Sequence, residues 1–149
     1  MKDKDLEYMK LERQLCFPLY AAARKVTNIY SQWLRPLGLT YTQYIVFLVL
    51  WEKDGLSVGE IGKDLMLDNG TLTPLLKKLE GEGYIERKRS PEDDRVVLIY
   101  LTTRGRDLQE KLRDLPKKIH TCLDLPREEM EDLYVLLYKV LEKEGKKDQ

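Results

Sequence analysis

The segment from Leu56 to Leu101 limits the possible folds more than any other, because few architectures share its order of signals. Ser57, with Glu60 three residues on, makes a capping box that opens a short helix, whose buried pair is Ile61 and Leu65. "LDNG" is a turn, and Asp68 or Asn69 can cap the helix that follows. That second helix puts Leu72, Leu75, Leu76 and Leu79 on one face and leaves Thr71, Thr73, Pro74, Lys77 and Lys78 elsewhere. "EGEGY" terminates it. Two short strands, 84–89 and 96–101, then flank the polar tip "SPEDDR" as a hairpin.

The flanks are helical. Residues 12–34 carry Leu15, Leu19, Ala22, Ala23, Val26, Ile29, Tyr30 and Trp33 at helical spacing, and "RPLG" stops them. Thr40 and Gln43 form another capping box, which starts a helix running to about Lys53. After the hairpin, Thr102 or Thr103 caps a long helix over roughly 103–121, and "DLPREEM" breaks it. A last amphipathic helix carries Met130, Leu133, Leu136, Leu137, Val140 and Leu141, and the tail "EKEGKKDQ" is expected to fray. The expected fold is mainly α with a small β-hairpin wing. It is one domain, in which 40–102 form a winged helix-turn-helix and 12–34 and 104–145 supply the outer helices.

A chain of 149 residues can bury a core without disulfides or metals. Its 26 basic and 26 acidic residues cancel, so any nucleic-acid surface must be local rather than a bulk effect. The longest apolar run, "YIVFLVLW", falls well short of the roughly 18 residues of a membrane span. The charged start, "MKDKDLEYMKLE", has no secretory apolar core. A cytoplasmic protein with reduced thiols is expected, with no membrane association. Cys16 and Cys122, the chain's two cysteines, lie 106 positions apart and lack zinc-type spacing. His120, the lone histidine, reads as a helix-surface residue. Neither a metal site nor a cofactor is expected.

The order helix, turn, helix, hairpin suits DNA. The second helix can lie in a major groove about 12 Å wide and offer Thr71, Thr73, Pro74, Lys77 and Lys78, while its N-terminus favours a phosphate. The hairpin brings Arg87, Lys88, Arg89 and Arg95 to phosphates or a minor groove. Glu92, Asp93 and Asp94 at the same tip argue against a plain phosphate clamp.

These motifs carry a resemblance. "DDRVVLIYLT" (93–102) matches the D-x-R-x5-L-T wing signature of MarR-type repressors, and "LDNGTLTPLLKKLEGEGYIERKRSPEDDR" looks like their recognition helix and wing. The resemblance spans essentially the whole chain. It implies a homodimer formed by the first and last helices, with two winged heads on a palindromic operator. It also implies that Asp93 braces the wing while Arg95 reaches the minor groove. "LERQLCFPLYAAARKVTNIY" followed by "LTYTQY" is similar to the OhrR-type branch, which senses organic hydroperoxides. In that branch an N-terminal cysteine is held by two tyrosines. The matching residues here are Cys16, Tyr30 and Tyr41, with Tyr20 one turn beyond the cysteine. In two-cysteine members a resolving cysteine comes from the other subunit, and Cys122 stands in that region.

The chemistry can also be argued from the residues. Peroxide is attacked by a thiolate, and a free cysteine, near pKa about 8.5, is mostly protonated at neutral pH. Phenolic donors and a helix N-terminus would favour the thiolate. Pro18 has no N–H. Either the regular helix begins near Phe17 and leaves Cys16 at its positive end, or the helix kinks. Leu15, Phe17, Leu19 and Trp51 would form an apolar pocket that prefers alkyl hydroperoxides to hydrogen peroxide. The sulfenic acid formed at Cys16 would condense with a thiol, and Cys122 is the candidate. Because a disulfide needs Cα atoms within about 7 Å, closing it could move the helices and spoil a half-site spacing of about 34 Å. Three other readings are a repressor gated by a small aromatic ligand, with Cys16 structural, an architectural DNA binder, which would need a stronger positive charge than the net zero here, and a thiol peroxidase. No peroxidase scaffold or C-x-x-C pair supports the last.

Overall fold

The computed structural model describes residues 6–142 of the chain; the expected fray of the tail and the expected extension of the last helix to 145 therefore fall mostly outside the described residues. The chain divides between Leu115 and Pro116 into two compact units. The first holds a 3-10 turn at Leu11–Arg13, helix α1 (Cys16–Leu34), a second 3-10 turn at Arg35–Leu37, α2 (Tyr41–Glu52), β1 (Leu56–Ser57), α3 (Val58–Leu65), α4 (Asn69–Gly81), β2 (Ile85–Arg89), β3 (Val97–Leu101) and α5 (Thr103–Leu112). Helix α6 (Leu115–Leu123) begins at the division, and α7 (Arg127–Glu142) lies in the second unit.

Pro18 does not kink α1. Gln14 is extended (φ −93°, ψ 114°), and the helix begins at Cys16, so Pro18 falls in its first turn. An N–H there has no partner inside the helix, and proline costs nothing for lacking one. Both expected capping boxes form: Thr40 with Gln43 starts α2, and Ser57 with Glu60 starts α3. Asp68, rather than Asn69, caps α4, accepting the Thr71 N–H at 2.7 Å. Thr102 caps α5.

The structure departs from the sequence expectations in four places. The first helix, expected from residue 12, begins only at Cys16, after a 3-10 turn and the extended Gln14. The hairpin is part of a three-stranded antiparallel sheet in the order β1-β3-β2, since Leu56 and Ser57 pair with Ile99 and Leu98. Leu65 and Leu75 are only half-buried, whereas Ile61, Gly62, Leu72, Leu76 and Leu79 are buried. The long helix expected over 103–121 is two helices, broken at Arg113 and Asp114. Pro116 explains the break: its ring would clash with the Leu112 carbonyl in a continuous helix, and it has no N–H for that carbonyl. Asp124, at φ 50°, separates α6 from α7.

The core of the first unit includes Leu34, Phe47, Leu50, Ile61, Leu72, Leu76, Leu79 and Ile99, each at most 1% exposed. Among the described residues no helix is long and apolar enough to cross a membrane.

Candidate functional site

Helix α4 presents its predicted polar face outward. Thr71, Pro74, Lys77 and Lys78 are exposed and Thr73 is half-buried. The helix N-terminus is already served by the Asp68 carboxylate, which the Thr71 N–H holds below the usual carboxylate range. Pro74 has no N–H to give the Gly70 carbonyl, a departure the helix accepts in its second turn.

The wing is held by its own side chains. Asp93 accepts the Arg95 backbone N–H at 3.0 Å, its Nε–H at 3.1 Å and its Nη2–H at 3.3 Å. These bonds, first of all those from the guanidinium, lower the Asp93 pKa. Arg89 donates from Nη1 to the Asp94 carbonyl at 3.3 Å, so both arginines help close the tip. Lys88 sits 5.5 Å over the Tyr100 ring and pairs with Glu86 at 3.4 Å. Arg87 is half-buried; its backbone N–H goes to Glu80, and its buried Nε has no hydrogen-bond partner.

Cys16 is exposed at the first residue of α1. Leu15 beside it is 82% exposed, and Phe17 and Leu19 are 45% and 44% exposed. Tyr20 is exposed too, with the Arg24 guanidinium 5.5 Å from its ring centre. Tyr30 lies 14 residues further along the same helix, which at 1.5 Å per residue is about 21 Å from Cys16. It packs against Tyr41 and Tyr44 of α2, with ring centres 4.8 and 5.5 Å away. Within one chain the structure thus joins Tyr30 to Tyr41 and leaves Cys16 at the other end of α1. Burial pushes the Tyr30 phenol up to about 12, aided by the neighbouring Tyr41 and Tyr44, and burial raises Tyr41 and Tyr44 as well. All three phenols stay protonated near neutral pH and keep an O–H to donate.

Trp51 is engaged in the winged head. Its ring stacks on Phe47 and its Nε1 donates to the Gly105 carbonyl at 3.0 Å. Cys122 is exposed in the last turn of α6, and both thiols are free. Among the described residues no three His, Cys, Asp or Glu side chains cluster to hold a metal ion.

The sequence reading overlooked several residues that shape the site. Tyr44 completes the tyrosine cluster, and its spacing from Tyr41 on one helix was the available signal. Asp54 accepts the Leu101 N–H at 2.8 Å, and Arg104 bonds the Glu82 carbonyl; both contacts are long-range and have no local signature.

Residues 28–112 match the family model described as transcriptional regulator SarA/Rot. The chain is 48% identical to the organic hydroperoxide resistance transcriptional regulator of Bacillus subtilis (strain 168), over 94% of this chain and 95% of that protein. It is also similar to AbfR of Staphylococcus epidermidis in two solved states. Against reduced AbfR bound to DNA the TM-score is 0.77 at 36% identity, over 94% of this chain and 97% of the other. Against disulfide-formed AbfR the TM-score is 0.65 at 35% identity, over 95% and 100% of the two chains.

Proposed function

Since this chain belongs to the MarR-type family of winged-helix transcriptional regulators, in the branch of the organic hydroperoxide regulators, we propose that it is a homodimeric repressor that releases DNA when Cys16 is oxidised. The observation that carries this is the position of Cys16: exposed at the positive end of α1, among exposed apolar side chains, in a chain whose head is a winged helix.

The ends of the chain support the dimer. Leu15, Phe17 and Tyr20 in one segment, and Leu133, Tyr134, Leu136, Val140 and Leu141 in α7, are all more than 40% exposed. Large apolar side chains in such runs mark surfaces that a partner covers. The distance of about 21 Å along α1 adds a second argument. The phenols of Tyr30 and Tyr41 can serve Cys16 only across a subunit boundary, each donating toward the thiolate of the other chain.

In the reaction, the Cys16 thiolate attacks one peroxide oxygen. The O–O bond breaks, the alkoxide leaves and takes a proton, and the sulfur becomes a sulfenic acid. Cysteine is oxidised by two electrons and the hydroperoxide is reduced to an alcohol. The thiol of the partner's Cys122 then attacks the sulfenic sulfur, forming the disulfide and releasing water. A disulfide-formed state of the relative AbfR supports this second step. The exposed Leu15, Phe17 and Leu19 favour an alkyl chain on the oxidant. In the reduced protein, Thr71, Thr73, Pro74, Lys77 and Lys78 face the major groove, and Arg87, Arg89 and Arg95 follow the backbone and minor groove of a palindromic site. Bond formation displaces the heads from the half-site spacing, and DNA is released.

The test is DNA binding by wild type and Cys16→Ser with and without cumene hydroperoxide. Wild type should lose at least tenfold in affinity on oxidation, and Cys16→Ser should lose none. Release of Cys16→Ser by the oxidant would sink the mechanism. A covalent dimer on non-reducing electrophoresis, absent in Cys122→Ser, identifies the resolving thiol.

A further inference from the structure

Helix α2 carries aromatic side chains along its length that connect two places the mechanism above leaves separate. Near its start, Tyr41 and Tyr44 contact Tyr30. Tyr44 meets Trp51 edge-on at 6.4 Å, and Trp51 stacks on Phe47 at 5.5 Å with 20° between the planes. Phe47 in turn meets Tyr84 edge-on at 5.5 Å. Tyr84 stands where α4 hands over to β2, and the Arg104 guanidinium lies 4.3 Å over its ring. The contacts run unbroken from the tyrosine cluster to the joint between recognition helix and wing.

Polar bonds fix that joint to the first turn of α5. The Thr102 hydroxyl donates to the Gly83 carbonyl at 2.6 Å, and the Thr102 N–H to the Tyr84 carbonyl at 3.1 Å. Arg104 donates to the Glu82 carbonyl at 2.6 Å. Gly105 sits so close that a Cβ on it would come within 2.3 Å of the Tyr84 carbonyl oxygen. Trp51 ties this turn to α2 through the one polar group of its side chain, the indole N–H on the Gly105 carbonyl. Close-packed interiors do not deform continuously; they switch between discrete packings, so a shift at the tyrosine end arrives at Tyr84 as a repacking.

We propose that Trp51 is a positioning residue for the redox response. It couples the Tyr30–Tyr41–Tyr44 cluster, through Phe47 and Gly105, to the setting of α4 and the wing. This rests on the sensing reading above, and adds the route by which a change at the tyrosines reaches the DNA-reading elements without passing through the dimer-forming helices alone.

Trp51→Phe tests it, because a six-membered aromatic ring stays and the N–H goes. DNA affinity is measured for reduced and cumene hydroperoxide-treated protein, on a duplex selected from a random pool by reduced wild type. Mass spectrometry verifies complete oxidation of Cys16 in each sample. The readout is the ratio of the two affinities. One neutral hydrogen bond supports a change of about fivefold, so the ratio should shrink by about that factor in Trp51→Phe. A purely structural Trp51 would lower the melting temperature and both affinities together and leave the ratio as in wild type, which overturns the proposal. Should Trp51→Phe not fold, Trp33→Phe decides, since Trp51 is then the remaining one of two tryptophans. Its emission should shift on oxidation, and an unchanged spectrum alongside intact DNA release overturns the proposal. If wild type itself keeps its DNA after oxidation, the sensing reading fails and this inference falls with it. Release of wild type with an unchanged ratio in Trp51→Phe removes the coupling role alone.

Discussion

Helices α4 and α7 are both amphipathic with a leucine-rich stripe, yet the stripes have opposite fates. In α4, Leu72, Leu76 and Leu79 are fully buried. In α7, Leu136 is 58% exposed, Val140 63% and Leu141 54%. The same periodicity thus encodes two kinds of contact. The head completes its core within one chain, because α3 and β2 pack against α4. The final helix offers a stripe of similar chemistry whose side chains are exposed among the described residues, and so, in its own unit, does the segment around Cys16. What distinguishes them is only whether the fold brings a neighbour, and periodicity does not encode that.

The largest expected effect follows from the buried stripe. Leu76→Ala should destabilise the head by about 2–5 kcal/mol in denaturant unfolding, whatever the protein concentration. A loss under about 1 kcal/mol would mean that α4 is not core-anchored. An intermediate effect is expected from the exposed stripe. Leu136→Asp should leave helix content intact by circular dichroism but shift sedimentation from dimer to monomer and cut DNA affinity at least tenfold. A variant that stays dimeric would show that α7 is not the seam. The smallest effect concerns the tyrosine cluster. Folding raises the Tyr30 pKa from 10.0 to about 12, so the folded state holds the phenolic proton more tightly than the unfolded chain. Its contribution is complete below about pH 10 and is lost as pH rises toward about 12. Tyr30→Phe should flatten that alkaline loss, and an unchanged pH profile would place the titration elsewhere.

Much of the head was legible because its signals are local. A Ser or Thr three residues before Glu or Gln fixes a helix start by hydrogen bonds among near neighbours, and both boxes form where they were read. Strand β1 was not legible: two residues make no pattern of their own, and they are a strand only because Ile99 and Leu98 lie alongside. The split between α5 and α6 was legible in Pro116, which a single helix over 103–121 would have to hold in its interior. At the candidate site, the residues could be named in advance but not their arrangement. Nothing local indicates that Trp51 bonds a carbonyl 54 residues away. The length of α1, read as a distance rather than as a pattern, already separates Cys16 from Tyr30.

The clasp between Asp93 and Arg95 bears on how this protein should respond to ionic strength. Each phosphate neutralised by a cationic side chain releases condensed counterions and steepens the fall of affinity with salt, by about 0.9 in the log–log slope. In the DNA-bound state proposed above, Arg95 would meet DNA with a carboxylate already bound across its guanidinium, and Glu92 and Asp94 stand beside it. On that proposal the tip would bring a preset shape to the groove with little net charge. The wing arginines are then expected to contribute more to fit than to salt sensitivity, and the slope for DNA binding should fall below what their number alone would give.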